Sequence, residues 1–237
     1  MDELVFFFDL ETVPIEMTKE DIIEFGKGRA PSNYRDPDKI KNYELKKAEE
    51  IYRSFSLDPM KCHVLVCCYA VGSVTWADGV KSIELGEIKT LRSDKHDIVS
   101  ELDRIVGGLT EGLKRRPKVT LVAHNIKKFD APVLMAQAVK CGAPHLVDMM
   151  NFDKPWESCL FDTNEWWRVH CCTTRSTSKL DVIGRFLGLG SKTEGMDGSK
   201  VLDVYQKHGI DPIAEYCKQD VELLQAVYQH LLEAKAI

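Results

Sequence analysis

Leu4 to Phe8 are all apolar, and a run of that length bounded by charge predicts a buried strand over 4–10. "CHVLVCCYAVG" (62–72) is a second continuous apolar run, and the alternating "VKSIELGE" (80–87) pairs with it as a third strand. Ile98, Leu102, Ile105, Leu109 and Leu113 recur at helical spacing and predict an amphipathic helix. Gly107-Gly108 weakens it by about 1 kcal/mol per glycine. "KVTLVAHN" (118–125) is the fourth strand, followed by the helix "APVLMAQAVKCG", with Pro132 in its first turn and Gly142 beyond its end. A short strand near 160–163, a loop, and helices at 178–187, 199–208 and 211–234 complete the pattern.

A meander followed by strand–helix alternation predicts an α/β domain with a mixed five-stranded sheet flanked by helices. The whole of 1–237 reads as one domain, without repeats or low-complexity tracts. Its one interruption is a charged stretch at about 19–60. There "DPDKIKNYELKKAEEIYRSF" (36–55) carries a thin helical stripe through Ile40, Tyr43, Leu45, Ala48, Ile51 and Phe55. We read it as an insertion lying over the domain, either a substrate-facing lid or a solvated helix with no role.

The apolar pattern breaks where chemistry begins. Asp9 and Glu11 stand two apart on the first strand, so they share one of its faces, where two unpaired carboxylates are costly to bury. Asp220 sits inside the apolar stripe of the last helix, one turn after Tyr216, and both project from the inward face. Asp130 follows the fourth strand, at the strand end where α/β sheets gather their sites. Each has a plain structural reading: Asp130 as a helix N-cap, Asp220 paired with a lysine, Asp9 as the end of a strand. Four separate rescues are a heavier demand than one shared one, and a hard, oxygen-rich site suits Mg²⁺ or Mn²⁺.

Composition changes this picture little. With 44% hydrophobic and 29% charged residues the chain is of ordinary globular type. A net charge of −5 excludes a generally basic nucleic-acid coat, but not an enzyme acting on nucleic acid, because clustered carboxylates themselves add negative charge. The eight cysteines form no CxxC pair and are expected to be buried, reduced thiols. No basic leader and no apolar run of about 18 residues is present, so the expectation is a cytoplasmic protein with no membrane contact.

Three segments carry a resemblance. "FDLET" (8–12), "HNIKKFD" (124–130) and "YCKQD" (216–220) resemble, in order and span, the three exonuclease motifs of the DEDD superfamily of 3′–5′ exonucleases. The Tyr-x-x-x-Asp form of the third resembles the DEDDy branch; the position where the other branch places a histidine, five before Asp220, is Glu215. Within that branch the chain is similar to stand-alone exonucleases related to the proofreading domain of family B DNA polymerases, "LDVIGRFLGLGSKTEGMDGSKV" (180–201) included.

The resemblance implies a ribonuclease H-like fold, with the first strand central and the last helix across the sheet. It implies that Asp9, Glu11 and Asp220 bind one of two divalent ions, Mg²⁺ or Mn²⁺, and that Asp9, aided by Asp130, touches the second. Tyr216 would orient the attacking water or accept its proton. Leu10, Thr12, Asn125, Lys128 and Phe129, as motif residues, are the implied substrate contacts, with Asn125 alternatively a tie that supports the site from behind, whereas His124 is expected to be structural.

The implied substrate is single-stranded DNA with a free 3′ end, and a DNA polymerase or replication protein is the companion to look for. Cations at 168, 175, 179, 185, 192 and 200 outnumber the acids around them and could follow a phosphate backbone, with Phe161, Trp166 and Trp167 as stacking candidates against ordinary packing. "KRRPK" (114–118) reads as a solvated turn. A short-RNA exoribonuclease and a non-catalytic nucleic-acid-binding or polymerase-associated module remain the alternatives.

Overall fold

The computed structural model describes residues 3–77, 79–111, 119–150, 158–190 and 196–237. The expected turn at 114–118, Leu113, Lys192 and most of the 191–199 loop lie outside these residues.

The first apolar run forms β1 (Glu3–Pro14), longer than the 4–10 expected. It continues because its partner β2 (Cys62–Ala77) continues, pairing antiparallel from Glu3↔Val74 to Pro14↔Cys62 with a register shift between Glu11 and Thr12. On its other side β1 pairs in parallel with β5 (Val119–Ala123), but only from Leu4↔Val119 to Phe7↔Val122. β6 (Leu160–Asp162) extends the sheet in parallel beyond β5.

Among the described residues the sheet has the expected five strands in line, with a sixth off that line. β3 (Val80–Glu84) pairs with the end of β2, and β4 (Lys89–Arg92) pairs with its middle, so two short strands share one long edge. "KTLR" holds one buried apolar residue, Leu91, and carries no periodic signal. Between the two strands Gly86 passes so close to β2 that a Cβ there would lie 2.2 Å from the Val71 carbonyl oxygen. The order β3–β2–β1–β5–β6 leaves β1 central, as in a ribonuclease H-like fold.

The helices, in chain order, are α1 (Lys19–Glu24), α2 (Pro37–Ser54), α3 (Ile98–Glu111), α4 (Asp130–Cys141) and α5 (Pro144–Met150). They continue with α6 (Thr163–His170), α7 (Leu180–Leu187), α8 (Val201–His208) and α9 (Asp211–Glu233). α6 stands where a loop was expected: Asp162 caps it, accepting the Glu165 N–H, and Trp167 anchors it in the core. α9 lies across β1 and β2, where Tyr228 takes Phe7 and Phe161 edge-on with ring centroids 5.3 Å away. Among the described residues no helix is long and apolar enough to cross a membrane.

The charged insertion is fastened down. Asp36 caps α2 and Pro37 starts it, but of its residues only Ala48 is buried. It is held by bonds to the strand and to α8. The Thr12 hydroxyl donates to the Ser56 carbonyl at 2.5 Å, Tyr52 donates to the Ile15 carbonyl at 3.3 Å, and Arg53 pairs with Asp203 at 2.6 Å.

All eight cysteines are free thiols, but only Cys62, Cys67, Cys68 and Cys217 are buried, while Cys141 and Cys171 are exposed.

Candidate active site

Alternation along β1 puts Asp9 and Glu11 on the face that carries Phe7, and Phe7 packs against α9. α9 brings Asp220 to the same place. One carboxylate oxygen from each of Asp9, Glu11 and Asp220 lies within 4.8 Å of the others. Glu11 is 8% exposed and Asp220 5%, so this negative charge is concentrated away from bulk water.

The backing of the trio is made of thiols. The Cys217 thiol donates to the Asp9 carbonyl at 3.3 Å. Cys68, opposite Asp9 in the ladder, reaches the Ala214 carbonyl at 3.7 Å. Burial pushes the Cys217 and Cys67 thiols well up, with the carboxylate charges adding to it, so both stay protonated and apolar in character.

Tyr216 is buried one turn before Asp220 and hydrogen-bonds to it. Burial, then the charges of Asp220, Glu11 and Asp9, hold the phenol far above its ordinary range. Of the two roles implied for it, this state suits orienting water, which the hydroxyl oxygen can do as an acceptor while its proton goes to Asp220, and not taking up the water's proton. Glu215, the neighbouring residue, is exposed on the outer side of α9.

Asp130 stands beside the trio rather than in it. It is 2% exposed and starts α4, whose N-cap position belongs to Phe129, so the capping role does not fall to it. Its carboxylate accepts the backbone N–H of Leu10, the residue between Asp9 and Glu11. That contact lies just past Phe7↔Val122, where the β1–β5 ladder has ended. Burial, with a contribution from Asp162, raises its carboxyl to about 7. Its Oδ1 is buried and accepts no hydrogen bond.

The residues fit a divalent cation. Three converging carboxylates form a set of hard oxygen donors, and a buried Asp130 oxygen beside them lacks a protein partner.

The remaining motif residues divide by exposure. Leu10 is 3% exposed and Thr12 is buried with its hydroxyl given to Ser56, so β1 offers substrate little side chain beyond the acids. Asn125, Lys128 and Phe129 reach the surface of the loop after β5. Asn125 has φ of 76°, a left-handed conformation that costs a non-glycine residue on the order of 1 kcal/mol. His124 is built into the scaffold, its Nδ1 2.9 Å from the Thr163 hydroxyl and its Nε2 3.1 Å from Asn164. Trp167 belongs to the core, Phe161 is partly buried against it, and Trp166 is half-buried against Trp167 and His170.

One residue escaped the sequence reading. Asp162, at the end of β6, is buried and holds the 124–129 loop by its backbone. Its only signal in sequence is the spacing Asp162-x-x-Glu165, a helix-start pattern.

With the acids in place, the comparison with known families becomes specific. A family of predicted 3′–5′ exonucleases related to the exonuclease domain of PolB matches residues 58–233. The chain belongs to that family. The match covers Asn125, Asp130, Tyr216 and Asp220 and begins after β1, and the fold brings Asp9 and Glu11 of β1 to Asp220. No curated protein matches the chain in sequence. Membership in this family of predicted exonucleases supports exonuclease activity in general and implies a nucleic-acid substrate.

Proposed function

We propose that the protein is a single-domain, metal-dependent 3′–5′ exonuclease that removes nucleotides from single-stranded DNA with a free 3′ end. The observation that carries this is the approach of Asp9, Glu11 and Asp220 to within 4.8 Å from a strand and a helix at opposite ends of the chain. Asp9, Glu11 and Asp220 would hold one divalent ion, Mg²⁺ or Mn²⁺, and Asp9 with Asp130 a second. Bound there, such ions supply activation of a water nucleophile and relief of charge on the leaving 3′-oxygen.

The protein's own groups do the rest. The protonated Tyr216 hydroxyl orients the attacking water beside Asp220. Asn125, Lys128 and Phe129, on the loop after β5, receive the terminal nucleotides: an amide for hydrogen bonds, a cation for phosphate and a ring for stacking. Leu10 and Thr12 contribute through backbone and packing. Arg168, Arg175 and Lys179, in the cation-rich segment that follows β6, would follow the phosphate backbone. A DNA polymerase or replication protein is the natural source of such 3′ ends.

End-labelled single-stranded DNA and RNA, incubated with Mg²⁺, Mn²⁺ or EDTA, test the reading directly. The expected result is a ladder shortening from the 3′ end of DNA that EDTA abolishes. Digestion of a 3′-blocked strand from its 5′ end, or an RNA-only ladder, would overturn the polarity or the sugar preference respectively.

A further inference from the structure

Asp162 makes more bonds than its position requires. As the N-cap of α6 it needs one acceptor, and its Oδ1 takes the Glu165 N–H at 3.1 Å. The same oxygen also accepts the Asn125 N–H at 3.0 Å, and Oδ2 accepts the Lys127 N–H at 3.2 Å. Those two donors lie 37 and 35 residues away in sequence, on the loop that follows β5. β5 and β6 run side by side up to Ala123↔Asp162, so the carboxylate is delivered to the point where the loop leaves the sheet.

The two residues after it serve the same loop. The Thr163 hydroxyl lies against His124 and donates to the Ala123 carbonyl at 3.3 Å, and Asn164 ties His124 to the Ser178 carbonyl at 3.3 Å. Within the loop, the N–H groups of Lys128 and Phe129 both donate to the Asn125 carbonyl at 3.1 Å, and Ala131 donates to Ile126 at 2.9 Å. Fixing Asn125 therefore fixes the turn from which Asp130 enters α4. Asn125 is also the residue with a left-handed backbone, a conformation that needs holding.

We infer that Asp162 is a positioning residue, whose buried carboxylate clamps the backbone of the 124–129 loop and so sets where Asn125 meets the substrate and Asp130 meets the metal. The inference rests on the exonuclease reading above. A carboxylate is the group the task calls for. Asparagine offers one acceptor oxygen, and its NH₂ would face an N–H; serine caps a helix well but is too short to bridge two loop amides. The cost of the choice is a second negative charge near Asp130, one that a mere cap could have avoided.

Asp162→Ser separates the two roles, because it keeps the cap and removes the clamp. The variant and wild type are compared in single-turnover cleavage of end-labelled single-stranded DNA across a Mn²⁺ titration, with direct Mn²⁺ binding by electron paramagnetic resonance. Asp162→Ser should stay folded, cleave 10- to 100-fold more slowly and require more Mn²⁺ for half-maximal rate, the penalty typical of groups that orient metal ligands. Asp162→Asn, with one acceptor left, should fall between. A folded Asp162→Ser with wild-type rate and wild-type Mn²⁺ binding overturns the inference. If Asp162→Ser does not fold, Asp162→Asn is judged by the same two measurements, and equality with wild type is again decisive. If wild type itself cleaves no substrate, the exonuclease reading fails, while Mn²⁺ binding unchanged by the substitution still refutes, and weakened binding still supports, the clamp on Asp130.

Discussion

The Tyr216 hydroxyl donates to the Asp220 carboxylate one turn further along α9. The bond places a protonated phenol beside the acidic trio and keeps the ring packed in the helix's inward stripe. Tyr216→Phe removes only the hydroxyl. Turnover should fall on the order of 10²–10⁴-fold, the worth of a positioned proton-handling group, with Mn²⁺ affinity and Tm close to wild type. Single-turnover rates beside metal titration measure both, and an unchanged rate would make Tyr216 a core residue.

Asp220→Asn should be more severe. Cleavage should drop below that of Tyr216→Phe and metal binding should weaken, because a charged oxygen donor is lost. Asparagine still accepts the Tyr216 hydroxyl, and one of three crowded charges leaves, so the metal-free Tm should hold or rise. Calorimetry in EDTA against calorimetry in Mg²⁺ checks the pair of signs; full activity in Asp220→Asn contradicts the metal assignment.

Asp130 gives stability a pH dependence of definite sign. Its carboxyl is raised from 3.8 in the unfolded chain to about 7 in the fold, chiefly by burial. Between those values the native state holds a proton that the unfolded chain has released. The group's contribution is thus fully present below pH 4 and is lost as pH rises through 7, at up to about 1.4 kcal/mol per pH unit. In EDTA, Asp130→Asn should flatten the fall in Tm between pH 5 and 8 and exceed wild type at pH 8. Parallel curves for the two proteins would contradict this.

Gly184 marks where α7 meets α9. A Cβ there would stand 2.6 Å from Leu223 Cδ1 and 3.0 Å from the Gly190 carbonyl oxygen. The leucine can move, the backbone less so. Gly184→Ala should destabilise by ~1–3 kcal/mol, the usual cost of overpacking, read as a lower urea midpoint.

The parts of this protein that were legible in sequence are those whose burial writes a pattern. The phenylalanines of β1 can only be core, and alternation then places Asp9 and Glu11 on one face. The stripe of α9 does the same for Tyr216 and Asp220. β4 was not legible because its place is decided by the free edge of β2, not by apolar residues of its own. α6 begins with polar residues and depends on a cap and one buried tryptophan. Asp162 was missed for a related reason. Its work is to accept backbone N–H groups, and any loop offers those whatever its side chains, so nothing in the sequence of 124–129 points back to it.

The thiol contact between Cys217 and Asp9 spans 208 positions of the chain. Local folding cannot create it; the central strand and the helix that crosses it must both be home. On the proposed function, this arrangement would withhold hydrolytic capacity from half-folded forms, because the acidic trio is assembled from the same two elements. On that same reading, metal affinity would gauge finished folding, and a divalent ion would be a ligand that favours the finished state.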